Sequence, residues 1–328
     1  MRILGVGNSL VDMLCRLPNE EILSKYSLPK GGMQLIDKEM AVRISNDIKH
    51  LECQFVSGGS AANTINGIAN IGEVETAFLG KIGRDEVGDY FENDLRKDGV
   101  ETFMLRSDLP TGRCISLISP DGERTMCTCL GATGELLPED VGHEAFQNVD
   151  ICHIGGYLVQ NHDMIEQVMI TAKAHGAKVS LDLASYNVVE SNFDFMHYLV
   201  KNFVDICFAN EEETAAYTKT RDLEEGVKLL AKDTEIAIAK GGSAGVWTMT
   251  HGGKPIFIPS LPNRNCIDTT GAGDLFASGY LHGLMTSDFN IEVAAKYGAI
   301  VGANIIEHVG TRMSREIWDS IKSEFKKI

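Results

Sequence analysis

Asp268-Thr269-Thr270-Gly271-Ala272-Gly273-Asp274 sets three small residues between two carboxylates. The residues that follow have a helix period, with Phe276, Ala277, Tyr280, Leu281 and Leu284 on one stripe. Gly271, Ala272 and Gly273 therefore stand at a helix N-terminus. Backbone N–H groups are unpaired there, and the helix dipole adds partial positive charge. Small side chains let an anion come close, so the turn reads as a cradle for a phosphate or an oxyanion. Asp274 falls in the first helical turn beside it. A carboxylate at that place stabilises a helix by itself. That alone does not account for the three small residues before it, or for Asp268 opening the turn.

Other turns have suitable chemistry. In Ser57-Gly58-Gly59-Ser60-Ala61-Ala62-Asn63, the glycines permit close backbone approach to a ligand. Asn63, one turn later, can hydrogen-bond hydroxyls; a helix N-cap at Ser57 or Ser60 is the alternative. Gly5-Val6-Gly7-Asn8-Ser9-Leu10 begins like a dinucleotide fingerprint. Leu10 stands where the third glycine should be and no clean helix follows, which excludes a dehydrogenase. Asp12, just past a first strand, is placed to accept from sugar hydroxyls or to be a solvated loop carboxylate. Asn210 and Glu213 lie one helical turn apart. They could orient a hydrated Mg²⁺ or simply form an acid-rich helix start. Lys240-Gly241-Gly242-Ser243-Ala244-Gly245 could wall a nucleotide or be a hairpin turn. The sequence has no P-loop, H-R-D loop, G-x-S-x-G elbow or H-E-x-x-H.

These turns need a frame. Strand-like segments at 1–6, 76–81, 149–154, 177–183, 204–209 and 235–240 alternate with helix-length segments such as 61–71, 87–97, 164–175 and 223–232. Short apolar strands between helices predict a mostly parallel sheet covered on both faces. Ligands in such sheets bind beyond the carboxyl ends of the strands. Residues 15–55 and 113–130 break the rhythm. The second alternates like an antiparallel hairpin about Pro120-Asp121-Gly122. Together they predict a small β layer usable as a lid.

Composition sets the outer limits. The chain has 328 residues, 44% hydrophobic and 23% charged, which excludes a disordered polymer. No run approaches the ~18 apolar residues of a membrane span. Polar residues interrupt the N-terminal apolar run, so no signal peptide is read there and a cytoplasmic protein is expected. The net charge of −16 repels nucleic acid and anionic membranes, so neither is expected as a partner. The eight cysteines lack C-x-x-C pairs and are expected to be buried free thiols.

Asp268 to Asp274 resembles the C-terminal motif of the ribokinase-like (PfkB) carbohydrate and nucleoside kinases. Gly58, Gly59 and Asn63 are similar to the family's N-terminal glycine motif. Gly80-Lys81-Ile82-Gly83-Arg84-Asp85 is similar to its G-x-x-G-x-D stretch, and Asn210-x-x-Glu213 to its metal-and-phosphate motif. The resemblance covers almost the whole chain. It implies a single domain over 1–328, a three-layer α/β/α sandwich with a mostly parallel central sheet, plus a small β-sheet lid from about 13–55 and 110–130. It implies transfer of the ATP γ-phosphoryl group to a primary hydroxyl. Asp274 would be the base, with Gly271, Ala272 and Gly273 as the anion hole. Asp12, Gly58, Gly59 and Asn63 would hold the acceptor. Asn210, Lys240, Gly242, Gly245 and Thr270 would lie along ATP, with Glu213 on Mg²⁺ through water. Asp268 and the Thr270 carbonyl would be a K⁺ site.

Residues 7–12 and 23–28, with Gln34-Leu35-Ile36, look most like the adenosine kinase branch, where the Gln and the aliphatic residues would line a nucleoside pocket. Residues 113–130 offer no aromatic to stack a purine, so a free sugar such as ribose or fructose stays open. A sugar phosphate could use Arg113 and Arg124. A kinase-derived binding protein without turnover is the alternative of another class. Both a monomer and a homodimer are compatible with the sequence.

Overall fold

The computed structural model describes residues 1–262 and 264–328. Its strands, in chain order, are β1 (Arg2–Val6), β2 (Leu10–Arg16), β3 (Met33–Leu35), β4 (Cys53–Gly58), β5 (Glu75–Gly83), β6 (Glu101–Ser107) and β7 (Gly112–Ile118). They continue with β8 (Arg124–Cys129), β9 (Ile151–Gly155), β10 (Lys178–Asp182), β11 (Ile206–Asn210), β12 (Ile236–Lys240), β13 (Val246–Thr250) and β14 (Ile256–Ile258). One sheet has nine strands in the order β14-β13-β12-β11-β10-β9-β1-β5-β6. From β12 to β6 every pairing is parallel, and β13 and β14 add an antiparallel edge.

Both faces of this sheet are covered, because its strands are apolar on both sides. Leu4, Val6, Cys152 and Ile154 pack into one core with helices His162–Ala174, Phe193–Phe203 and Leu223–Leu230. Ile3, Ile151, Ile206 and Ile238 pack into the other with helices Ser60–Ile71, Glu86–Lys97 and Ala272–Thr286. The expected three-layer α/β/α sandwich is what forms. Among the described residues no helix is long and apolar enough to cross a membrane.

The second sheet has five strands in the order β3-β8-β7-β2-β4. Its strands fall within Leu10–Gly58 and Gly112–Cys129, against the 13–55 and 110–130 expected for a small β layer, and β7 and β8 form the expected hairpin. Residues 15–55 also hold a helix beyond the expected β layer, Lys38–Ile48, capped by Asp37 accepting from Met40 N at 2.7 Å. Ile44 and Ile48 pack with Leu23, Ile115 and Leu117 behind the small sheet, giving it a core of its own.

The expectation of eight free thiols is corrected. Antiparallel register sets Cys15 of β2 opposite Cys53 of β4, and the two form a disulfide with a Cα–Cα distance of 4.5 Å. Cys266 is exposed rather than buried.

Candidate active site

The carboxyl ends of β9 to β12 open into a cleft of about 1920 Å³ between the two sheets. A single drug-sized ligand needs ~300–1,000 Å³, so the space suits two small molecules together. Gly155, Asp182, Asn210 and Lys240 reach it from the strand ends, and Leu10, Asp12, Met126 and Thr128 from the small sheet. The turn at 268–274 lies on the same cleft.

That turn has the conformation a cradle requires. Gly271 sits at φ 66°, and a Cβ there would meet Thr311 Cγ2 at 2.4 Å. The helix Ala272–Thr286 starts immediately after it. One part of the expectation is corrected: the Ala272 N–H donates to the Thr269 carbonyl at 3.1 Å, so this tight turn consumes it. Among the described residues the N–H groups of Gly271 and Gly273 have no protein acceptor. Of the three amides expected to form the anion hole, those of Gly271 and Gly273 are left for an anion.

Asp274 is half-buried beside them. Ser60 Oγ donates to its Oδ1 at 2.7 Å and Asn63 Nδ2 to its Oδ2 at 2.9 Å. Burial pushes the Asp274 carboxyl up to about 6; these donors and the Lys240 ammonium oppose the rise, and the Asp182 charge adds to it. A base in that range is ionised at neutral pH and still basic enough to take a proton.

Asp12 reaches the cleft from β2, and Gly58 makes room for it. A Cβ on Gly58 would lie 2.6 Å from Asp12 Oδ1, although Gly58 itself does not line the cleft. Gly59, at φ 88°, does line it and caps the Ser60–Ile71 helix. Burial also raises Asp12 to about 6, with Arg124 and Arg312 pulling it down and Asp274 pushing it up. Asn63 lines the cleft as expected. Gln34 does not: on β3 it alternates with Met33 and Leu35, and those two face the cleft. Its buried Nε2 has no partner among the described residues. The expectation that it lines the acceptor pocket is corrected by the pleat of the strand.

On the other side, Asn210, Glu213, Lys240, Gly242, Gly245 and Thr270 all line the cleft. Asn210 and Glu213 form a capping box. Glu213 N donates to Asn210 Oδ1 at 2.8 Å, and Asn210 N and Nδ2 donate to the two Glu213 carboxylate oxygens, each at 2.7 Å. Burial and the Asp182 charge push Glu213 up to about 7. The 240–245 run is a hairpin turn, with Gly241 N donating to Gly245 O between β12 and β13, and this hairpin lines the cleft. Lys240 Nζ forms a buried ion pair with Asp182 Oδ2 at 2.8 Å. Its nitrogen stands 3.3 Å from where a Gly273 Cβ would be, so a cation borders the free amides.

The residues fit Mg²⁺ only at second hand. The engaged oxygens of Glu213 suit water molecules of a hydrated ion rather than the ion itself, and among the described residues no group of three or more His, Cys, Asp or Glu could hold a metal. The K⁺ site does not fit. Asp268 Oδ1 accepts from Thr270 N and Oγ1, Oδ2 accepts from Gly310 N, and the Arg124 guanidinium stands 3.6 Å away. A carboxylate ordering its own loop beside a fixed cation has little left for another.

Ser60, named in the sequence only as a candidate N-cap, instead donates to Asp274. Two residues here have no place in the sequence reading: Asp182 anchors Lys240, and Arg312 touches Asn63. Asp182 could have been found, since an acid closing a parallel strand points at the cleft. Arg312 follows a helix with no local signal. Of the two lid arginines, Arg124 reaches the cleft, whereas Arg113 is exposed elsewhere. The 80–85 stretch is structural: Asp85 caps the Glu86–Lys97 helix through Gly88 N at 2.8 Å and accepts from Thr111 N at 2.9 Å.

The model of the pfkB family of carbohydrate kinases matches residues 33–318. The chain is 26% identical to adenosine kinase of Saccharomyces cerevisiae over 325 residues, covering 93% of this chain and 94% of that one. Two crystal structures share the fold at a TM-score of 0.89: a probable sugar kinase from Rhizobium etli, 32% identical with 98% of each chain covered, and adenosine kinase from Sinorhizobium meliloti, 31% identical with 98% and 99% covered. A parallel sheet ending in this cleft, its half-buried carboxylate and these relatives agree: the chain belongs to the pfkB carbohydrate kinase family, in its adenosine kinase branch, and is a phosphotransferase with an alcohol group as acceptor.

Proposed function

We propose that the chain transfers the γ-phosphoryl group of ATP to the primary hydroxyl of an adenosine-like ribonucleoside. The observation that carries the reaction is the position of Asp274, an ionisable group inside the cleft within one helical turn of two free amides. The hydroxyl oxygen forms a bond to the γ-phosphorus as the bridging P–O bond to the β-phosphate breaks. ADP leaves, and the hydroxyl proton passes to the Asp274 carboxylate. Such transfer runs through a loose transition state, so positioning and charge stabilisation dominate. The Gly271 and Gly273 amides and Lys240 meet the charge on the transferred group. Mg²⁺, held through water by Glu213, would neutralise charge on the ATP phosphates.

Asp12, with Gly59 and Asn63, takes the acceptor's hydroxyls. Asn210, Gly242, Gly245 and Thr270 border the nucleotide. A nucleoside is favoured by the lid wall, where Leu10, Met33, Cys114, Ile118, Met126 and Leu130 give an apolar surface larger than a free sugar needs. Tyr157 supplies an aromatic ring from outside the lid, its hydroxyl donating to the Ala184 carbonyl at 3.3 Å. The test measures ADP release with ATP, Mg²⁺ and a panel of adenosine, guanosine, ribose, fructose and fructose 6-phosphate. Adenosine should give the highest kcat/KM. A sugar ahead by tenfold or more would replace the acceptor, and no turnover on any would favour the binding protein.

A further inference from the structure

Asn63 sits between two groups of opposite hydrogen-bonding character. On one side Arg312 Nη1 donates to Asn63 Oδ1 at 3.0 Å. On the other, Asn63 Nδ2 donates to Asp274 Oδ2 at 2.9 Å. A guanidinium can only donate and an ionised carboxylate can only accept. The amide can therefore satisfy both neighbours in one orientation alone. Turned over, it would set its carbonyl oxygen against the Asp274 carboxylate and its NH₂ against the guanidinium.

Arg312 is held in turn from behind. Its Nε and Nη2 donate to Asp94 Oδ2 at 3.2 and 3.1 Å, and Nη1 also reaches Thr311 Oγ1 at 3.0 Å. Asp94 is buried in the Glu86–Lys97 helix and ion-paired with Lys97. Burial raises the Asp94 carboxyl, but Arg312, Lys97 and Ser57 outweigh that and hold it below the ordinary range. A chain of contacts thus runs Asp94–Arg312–Asn63–Asp274 and joins three helices to the segment at 310–312.

We propose that Arg312 is a positioning residue of the phosphoryl-transfer site: anchored by Asp94, it locks the Asn63 amide so that its donor end faces Asp274. The inference rests on the reading of Asp274 as the base, and it deepens that reading. With the lock in place, the ionised carboxylate keeps a donor at both oxygens, Ser60 at one and Asn63 at the other. Without it, the amide can turn, the ionised form loses a hydrogen bond, and the carboxyl titrates at higher pH.

The other charged groups facing Asp274 are Asp12 on β2, Asp182 on β10 and Lys240 on β12. Those facing Arg312 are Asp94 and Lys97 on one helix and Asp12 across the cleft. A direct effect of the Arg312 charge must therefore be separated from one relayed through Asn63. A double-mutant cycle does this.

The experiment is a ¹³C-carboxylate titration of Asp274 by NMR in the full chain, assigned with Asp274→Asn, for wild type, Arg312→Gln, Asn63→Ala and the double variant. Glutamine can offer Asn63 either a donor or an acceptor, so it removes the lock while keeping bulk. Arg312→Gln should raise the Asp274 pKa by about one unit, a tenfold change in its ionisation constant. In the Asn63→Ala background the same substitution should add nothing. Additive shifts, or no shift in Arg312→Gln, would overturn the proposal. Should Arg312→Gln not fold, Asp94→Asn loosens the same guanidinium and should give a smaller shift of the same sign; no shift there overturns the proposal equally. Activity supplies the second readout: the acid limb of kcat/KM moves up by the same amount as the titration. A wild type that turns over no acceptor would defeat the kinase reading, while the titration would still decide the role of Arg312.

Discussion

Asp274 and Asp12 are two carboxylates that burial pushes to about 6 in one cleft, each raised further by a neighbouring acid. Ionising Asp274 has a stability consequence whose sign is fixed. Its folded value lies above the ordinary ~4, so folding favours the protonated form. That contribution is present at low pH and is lost as pH rises from ~4 through about 6. At pH 7.5 the native chain carries the cost in full, so Asp274→Asn should melt no lower than wild type there, and its relative advantage should shrink at pH 5. Asp12 has a different task. Asp12→Ala should raise KM for the acceptor at least tenfold while KM for ATP moves less than threefold; initial-rate kinetics at pH 7.5 check this, and equal rises would remove Asp12 from the acceptor's hydroxyls. Both acids were legible from their places after a strand or at a helix start. Arg312 was not, because its partners Asn63 and Asp94 are 249 and 218 residues away in the chain.

The turn before the Ala272–Thr286 helix shows why a motif can be read correctly and its hydrogen bonds misread. Spacing gives the helix start and the glycines give the bend. Which amide the bend consumes depends on the φ of 66° at Gly271 and the Ala272–Thr269 contact, and neither is written in residue types. Gly271→Ala should expose this. A side chain in the left-handed region costs ~1–3 kcal/mol, and this one also meets Thr311. Melting should therefore fall by several degrees. Because the bend aims the two free amides, kcat should fall by ~10²–10³, the loss seen when an oxyanion donor is removed. A variant with lowered melting and a wild-type kcat would show that the bend does not hold the phosphate. Asn210 and Glu213 are the complementary case: an acid-rich helix start was one expectation, and the structure makes the pair a capping box while Glu213 still lines the cleft.

Across the whole molecule the alternation of apolar strands and helices announced the layered sheet, and the two interruptions announced the small one. The strand order was not legible, since β1 lies between β5 and β9 and such neighbours depend on crossovers rather than local pattern. The Lys38–Ile48 helix was hidden because its buried face is narrow, with only Ile44 and Ile48 fully covered. The cross-strand disulfide was hidden because it follows from the register of β2 on β4. Two sheets facing one cleft suit closure over bound ligands. Amide hydrogen exchange in β7 and β8 should slow at least tenfold with adenosine and a non-hydrolysable ATP analogue together, and unchanged exchange would remove the lid role. The central claim, that Asp274 takes the proton during phosphoryl transfer, is tested most directly by the kcat of Asp274→Asn at pH 7.5 against a wild type that releases ADP on its best acceptor. The account predicts a loss of ~10²–10⁴ with melting not below wild type. A kcat within threefold of wild type in the folded variant would contradict it.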